Sequence, residues 1–222
     1  MNELSLVIGN KNYSSWSLRP WLAMRQAGIA FKEVRISLYS GAEFKSRIKA
    51  ASPSGKVPAL VDGDLTIWDS LAICEYLAER HPGHPGMWPA DAAARAVARA
   101  VSAEMHSGFT NLRSNMSMNV RKHYPGKGIG PGVPQDIARI FSIWDDCRRR
   151  FANDGGPFLF GGFSIADAMY APVILRFRTH AIALPANLKP YGEAMLALPA
   201  MREWIAAAEA EPESIPEIDF YG

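Results

Sequence analysis

Three serines, Ser14, Ser15 and Ser17, fall within the stretch Tyr13-Ser14-Ser15-Trp16-Ser17-Leu18-Arg19-Pro20, between an apolar run and an amphipathic one. Hydroxyls at the entrance to a helix can do three kinds of work. They can cap the unpaired amides of the first turn. One can act as a nucleophile when a base lies beside it. One can donate a hydrogen bond to an anion, such as a thiolate, drawn to the helix's positive end. No base is close in sequence: His81, His84, His106, His123 and His180 are all distant, so a nucleophile would depend on the fold returning one of them. Capping and anion binding both stay open on spacing alone.

The elements that would hold these serines are legible on either side. Leu4 to Ile8 is short, apolar and β-branched at its end, and Gly9-Asn10-Lys11-Asn12 closes it with turn residues, which predicts a first strand. Leu18, Trp21, Leu22 and Ala27 keep helical spacing up to Gly28, a favoured residue just past a helix end. Pro20 lacks an amide hydrogen and is free of cost only in the first turn, which predicts Ser17 as the N-cap and Pro20 as the third helical residue. Val34, Ile36 and Leu38 alternate with polar residues, predicting a second strand within 30–38, parallel to the first because a helix joins them. A short helix over 42–50 follows. Asp62-Gly63 between two apolar runs predicts an antiparallel hairpin with a type I′ turn. Trp68-Asp69-Ser70 then opens a helix with Leu71, Ile73, Cys74, Tyr76 and Leu77 on one wide face. The predicted order is β-α-β-α-β-β-α within residues 1–81.

Residues 82–89 are rich in proline and glycine and read as a linker to a helical unit over 90–222. His81 and His84 beside it read as exposed linker residues rather than metal ligands. A helical pattern runs from Asp91 to Lys122, carried by Val97, Val101, Met105, Phe109 and Leu112, with Gly108 and Asn111 as kink points. The loop from Tyr124 to Pro134 contains Gly126-Lys127-Gly128-Ile129-Gly130, which lacks the preceding strand and the lysine spacing of a phosphate loop. Helices are predicted over 135–152, from Ser164, over 188–198 and over 199–210. Ser164 and Asp167 form a reciprocal capping pair with Phe163 as staple, not a nucleophile elbow.

Bulk properties narrow the class. A chain of 222 residues, 48% hydrophobic, supports one large or two small domains. With 24 basic and 22 acidic residues, charge makes no case for a nucleic-acid partner. Cys74 and Cys147 lie singly in separate helical patterns, predicting buried free thiols rather than a disulfide or metal site. Met1-Asn2-Glu3 carries no basic region or long apolar run, and no segment has membrane-spanning length, so the expectation is a cytoplasmic protein with no membrane partner.

Four features in order, Ser14-Ser15-Trp16-Ser17, Gly55-Lys56-Val57-Pro58-Ala59-Leu60, Asp69-Ser70 and Ser164-Ile165-Ala166-Asp167, give nearly the whole chain a resemblance to a cytosolic glutathione S-transferase of the serine type. The Ser-Ser-x-Ser pattern is similar to the zeta class, with Trp16 where that class has cysteine and Leu18 where it has tryptophan. The resemblance implies an α/β thioredoxin-like N-terminal domain (βαβαββα) followed by an all-α helical C-terminal domain. It implies glutathione as co-substrate without a metal, a small electrophile as second substrate, a role in detoxification, and a homodimer formed by the first half against a partner's helical half. A glutathione-dependent isomerase or peroxidase, or a non-catalytic glutathione-fold module that binds a ligand or protein, are the alternatives.

By the same resemblance, Ser14 aligns with the catalytic hydroxyl and Ser15 is the alternate. A thiol with the usual pKa of about 8.5 needs about 2 kcal/mol to be half ionised at pH 7. A hydrogen bond to a charged group supplies about 1.5 to 3 kcal/mol and a helix N-terminus about 0.3 to 1, so one serine and its helix suffice. Val57-Pro58 resembles a cis-proline turn that offers the Val57 backbone to the ligand as an added strand would. Ser70 would take the γ-glutamyl carboxylate at a helix N-terminus, Asp69 the ammonium, and Lys56 the glycyl carboxylate. Tyr13, Trp16, Met105, Phe109, Arg113 and Arg176 are the candidates to line an electrophile pocket between the halves.

Overall fold

The computed structural model describes residues 3–38, 41–82, 84, 87–152, 155–216, 218–219 and 221. Its four strands, β1 (Leu4–Ile8), β2 (Lys32–Arg35), β3 (Ala59–Asp62) and β4 (Leu65–Ile67), form one sheet of order β2-β1-β3-β4. The helix α1 (Ser15–Gln26) returns the chain so that β2 lies parallel to β1, Val7 opposite Val34. β3 pairs antiparallel with both β1 and β4. The second strand is shorter than the alternation predicts, although Ile36 still donates its N–H to the Ile8 carbonyl at 2.8 Å.

The hairpin differs in its turn. Asp62 pairs with Leu65, so the loop is Gly63-Asp64, and only Gly63 takes a positive φ, of 60°. A positive φ at the first central position alone is the type II′ pattern rather than type I′.

α2 (Ala42–Ala51) packs Ile48 with Val7, Ile36 and Ala59 on one sheet face. α1 and α3 (Ser70–Arg80) cover the other, where Leu6, Ile8, Leu18, Leu22, Ile73 and Leu77 join a much larger core. Beyond α3, Gly83, Pro85 and Gly86 of the predicted linker lie outside the described residues, and Met87 is buried against the helical half.

The pattern over 91–122 is two helices and a coil, not one kinked helix. α4 (Ala92–Ser107) ends at Gly108, α5 (Thr110–Asn115) follows, and residues from 116 onward leave the helix. A Cβ at Gly108 would sit 2.8 Å from the Glu104 carbonyl oxygen, and Phe109 takes φ 57°, in the left-handed region. Such a conformation costs about 1 to 2 kcal/mol, whereas burying a phenylalanine side chain returns about 1.5 to 3, so the break holds with Phe109 inside the core.

α6 (Val133–Phe151), α7 (Ile165–His180), α8 (Lys189–Ala197) and α9 (Pro199–Glu209) complete the chain close to their predicted bounds. Every residue of α7 but Arg178 is buried. It packs along α1, which places the middle of the helical half behind the serine turn. The sheet-and-helix half is thioredoxin-like and the remainder is all helical.

Candidate active site

Ser14 is the N-cap of α1, three residues before the predicted cap. Its hydroxyl accepts from the Ser17 N–H at 3.3 Å and donates to the Ser17 hydroxyl at 2.7 Å, while the Ser17 oxygen accepts from the Gly9 N–H at 3.1 Å. Pro20 is therefore the sixth helical residue. An interior proline costs about 3 kcal/mol, but full burial of Leu18, Trp21 and Leu22 contributes about 1.5 to 3 each, so packing outweighs the local rule.

The turn before α1 is held from far along the chain. Glu211 accepts the N–H of Lys11 at 2.7 Å and of Asn12 at 3.0 Å, and Asn12 donates its amide to Asn119 at 2.9 Å. Arg121 donates to the carbonyls of Glu211 and Glu213, and the Tyr13 hydroxyl donates to Asp219 at 2.8 Å. These bonds draw the segment after α9 across the serine turn.

Two adjoining clefts meet at Trp16. The first, of about 350 Å³, is lined by Tyr13, Ser14, Ser15, Trp16, Val57 and Ile218, with Leu38, Phe44 and Lys56 at its sides. The second, of about 400 Å³, is lined by Trp16, Lys56, Val57, Pro58, Asp69 and His106, with Trp68 at its rim. The fold thus brings Tyr13, Ser14, Ser15, Trp16, Lys56, Val57, Pro58 and Asp69 together at these clefts. A further hollow of about 380 Å³ around Phe31, Arg80, His81 and His84 contains none of them.

Ser15 differs from Ser14 in what it has left to give. Its oxygen accepts from Arg176 Nη2 at 3.2 Å, and none of the hydrogen bonds among the described residues uses its hydroxyl hydrogen. Facing it, the Val57–Pro58 peptide is cis, and neither the N–H nor the carbonyl of Val57 is engaged among the described residues. Asp69, preceded by a cis Trp68–Asp69 peptide, caps α3 by accepting from Leu71 at 3.1 Å and Ala72 at 3.4 Å, and its other oxygen meets His106 Nε2 at 3.1 Å. Ser70 is wholly buried outside the cleft linings, and its hydroxyl has no partner among the described residues.

Four predicted pocket residues stand elsewhere. Met105 and Phe109 are core residues, the first on the buried face of α4 and the second at the break after Gly108. Arg176, 6% exposed, is spent on Ser15 and the Met116 carbonyl. Arg113 donates to the His106 carbonyl at 3.0 Å and lies 4.9 Å from the Trp16 ring centre. Residues that spacing did not reveal are His106, Ile218, Leu38 and Phe44 in the walls and Arg19 behind them. Arg19 carried one signal, its place four residues after Ser15 on the same helix face; the others have none in local sequence.

Burial and mutual repulsion depress the arginines: Arg19 falls to about 9 and Arg176 to about 10, each chiefly through loss of hydration. Cys74 and Cys147 are free and buried as predicted, and loss of hydration pushes both thiols up to about 12, unsuited to act as nucleophiles. No group of three or more histidine, cysteine or acidic side chains is arranged to hold a metal among the described residues, and no described helix is long and apolar enough to cross a membrane.

Family models for the glutathione S-transferase N-terminal and C-terminal domains match residues 13–80 and 130–207. The chain is 36% identical to glutathione S-transferase Z2 of Arabidopsis thaliana over 92% of its own length and 93% of that protein's. The chain belongs to the glutathione S-transferase family. Within that family it is also 30% identical to the maleylacetoacetate isomerase of Rattus norvegicus, over 85% of each chain. A Burkholderia glutathione transferase homologue solved with bound glutathione shares the fold, with a TM-score of 0.70 at 23% identity over 95% of this chain and all of that one.

Proposed function

We propose that this glutathione transferase seats glutathione across the two clefts and delivers its thiolate to a small electrophile, with Ser15 as the residue that touches the sulfur. The observation that carries this reading is the Ser15 hydroxyl, which lies in the cleft wall with its oxygen fixed by Arg176 and its hydrogen uncommitted. Ser14, already both donor and acceptor to Ser17, supports the turn instead. In the reaction the S–H bond breaks and its proton leaves to solvent. The sulfur lone pair then forms a C–S bond to the electrophile, which either expels a leaving group with its electron pair or takes up a proton from solvent after addition across a double bond. A hydrogen bond from Ser15 is worth about 1.5 to 3 kcal/mol to the anion, enough to ionise much of the thiol near neutral pH.

The remaining assignments follow the gathered groups. The free backbone of Val57, held by Pro58, pairs with the cysteinyl segment of the tripeptide as an added strand. Asp69 at the start of α3 takes the γ-glutamyl end, with buried Ser70 behind it, and Lys56 stands on the glycyl side. Tyr13, Trp16, Leu38, Phe44 and Ile218 form the acceptor's side. Residues 1–81 supply most glutathione contacts, and 90–222 supply the backing from α4, α5 and α7. The same reading makes the protein a cytoplasmic homodimer that needs no metal.

The isomerase relative supports a second outcome at the same site, in which the thiolate adds to an unsaturated acid, the bond rotates, and the thiolate leaves again. Retention on immobilised glutathione, followed by ultraviolet detection of bound thiolate and an electrophile screen, tests the reading. Retention, a thiolate signal and net conjugation are expected. Retention without the signal would make the protein a binding module. Geometric isomerisation with no net loss of glutathione would select the isomerase.

A further inference from the structure

Around Trp16 the fold assembles three guanidinium groups from three helices. Arg19 of α1 lies 4.2 Å from the Trp16 ring centre and Arg113 of α5 lies 4.9 Å from it. Arg176 of α7 reaches Ser15 beside them. Arg19 is 1% exposed, and its Nε and Nη1 have no hydrogen-bond partner among the described residues. A buried guanidinium with free donors is costly unless an anion shares its surroundings.

The other charged and titratable groups facing this spot do not cancel it. Asp69 of α3 is about half exposed, already caps that helix and meets His106 of α4. Cys74 of α3 is a buried neutral thiol. Lys56 adds positive charge from the loop before β3. The Tyr13 hydroxyl donates to Asp219 of the tail at 2.8 Å and accepts from Arg121 at 3.3 Å. Loss of hydration lowers all three arginines first; Arg113 and Arg176 then add repulsion at Arg19, and Arg113 adds it at Arg176, a repulsion that an anion beside them would relieve.

We propose that Arg19, Arg113 and Arg176 act together as a buried positive field that keeps the glutathione sulfur ionised, with Arg19 a positioning residue that acts through Trp16. The inference rests on glutathione binding beside Ser15. Breakage of the S–H bond sends the proton to solvent; no electron is transferred, and the field stabilises the anion left behind. Low exposure leaves Arg19 and Arg176 little screened by water or salt, and half-buried Arg113 is screened more.

The test measures ionisation and affinity separately in the full chain. Bound thiolate is titrated by ultraviolet absorbance in Arg19→Met, Arg113→Met and Arg19→Lys, and the Kd of S-methylglutathione is measured for each. That analogue keeps both carboxylates and has no thiol proton. We expect each methionine variant to raise the bound thiol's pKa by about one unit, and Arg19→Lys to restore at least half of it. Conjugation should fall about fivefold at neutral pH and recover at high pH, a recovery that a merely structural defect would not give. S-methylglutathione should bind within about twofold of the unaltered protein. Arg113 is half-buried, so its variant decides the matter if Arg19→Met fails to fold by circular dichroism.

An unchanged thiolate titration with weakened S-methylglutathione binding would overturn the proposal and make the cluster a carboxylate site. An unchanged titration with unchanged binding would overturn it as well. Absence of any glutathione binding in the unaltered protein would overturn the functional reading and this one together.

Discussion

The starts of α1 and α7 use buried serines in opposite ways. At α7, Asp167 accepts from the N–H of Ser164 at 2.9 Å, from its hydroxyl at 3.0 Å and from the Leu159 N–H at 3.0 Å, closing a capping box inside the protein. At α1, Ser14 does the capping and Ser15, one residue on, keeps its hydroxyl hydrogen at a cleft wall. A start whose donors all have partners can only stabilise; one that retains a donor beside an open space can also bind. The same residue type therefore serves stability in one place and chemistry in the other.

The contrast breaks most sharply at Asp167. Asp167→Ala leaves several buried donors without an acceptor and should cost about 3 kcal/mol in urea unfolding, while the bound thiolate titration stays unchanged. A shift of that titration would mean the two helix starts are coupled. The same residue gives the protein a pH signature. Burial pushes its carboxyl from 3.8 up to about 6, so the native state holds a proton that the unfolded chain releases. The stability from that proton is full below pH 3.8 and is lost as pH rises through about 6. Urea midpoints at acid and neutral pH should show this decline flattened in Asp167→Asn.

At the other start, Ser15→Ala should lower kcat/KM at neutral pH by about 10- to 100-fold, the worth of one hydrogen bond to an anion, with stability changed by less than about 1 kcal/mol. Ile218→Ala opens the acceptor's wall and should shift preference toward bulkier electrophiles by roughly tenfold, read as a ratio of kcat/KM values. Ser14→Ala is the smallest of the series: about 1 kcal/mol of stability, with conjugation within about fivefold. If Ser14→Ala abolished thiolate formation while Ser15→Ala spared it, the division of labour would be reversed.

Much of the chain was readable because its signals are local. The alternation in 30–38, the glycine in the hairpin, Asp69 before the helix and Ser164 three residues before Asp167 each act within one turn or one strand. Where those signals erred, packing had overruled them. Pro20 suggested Ser17 as the cap, yet α1 is buried along α7 and starts earlier. The helical spacing over 91–122 was real, but Gly108 and the burial of Phe109 cut it in two.

By itself the amino-acid order determined the thioredoxin-like half, the helical half, the serine turn and the capped helix in the second half, because period, caps and turn residues work over short spans. It also supplied the family resemblance. Only the tertiary structure decided which serine keeps a free hydroxyl, that His106 and Ile218 reach the clefts, and that the arginines converge on Trp16. Arg176 meets Ser15 across 161 residues and Glu211 meets Lys11 across 200, and such pairings depend on how α1 lies against α7 and how the tail folds back. No local pattern encodes that, since each partner's own neighbours would suit an ordinary surface or core position equally well.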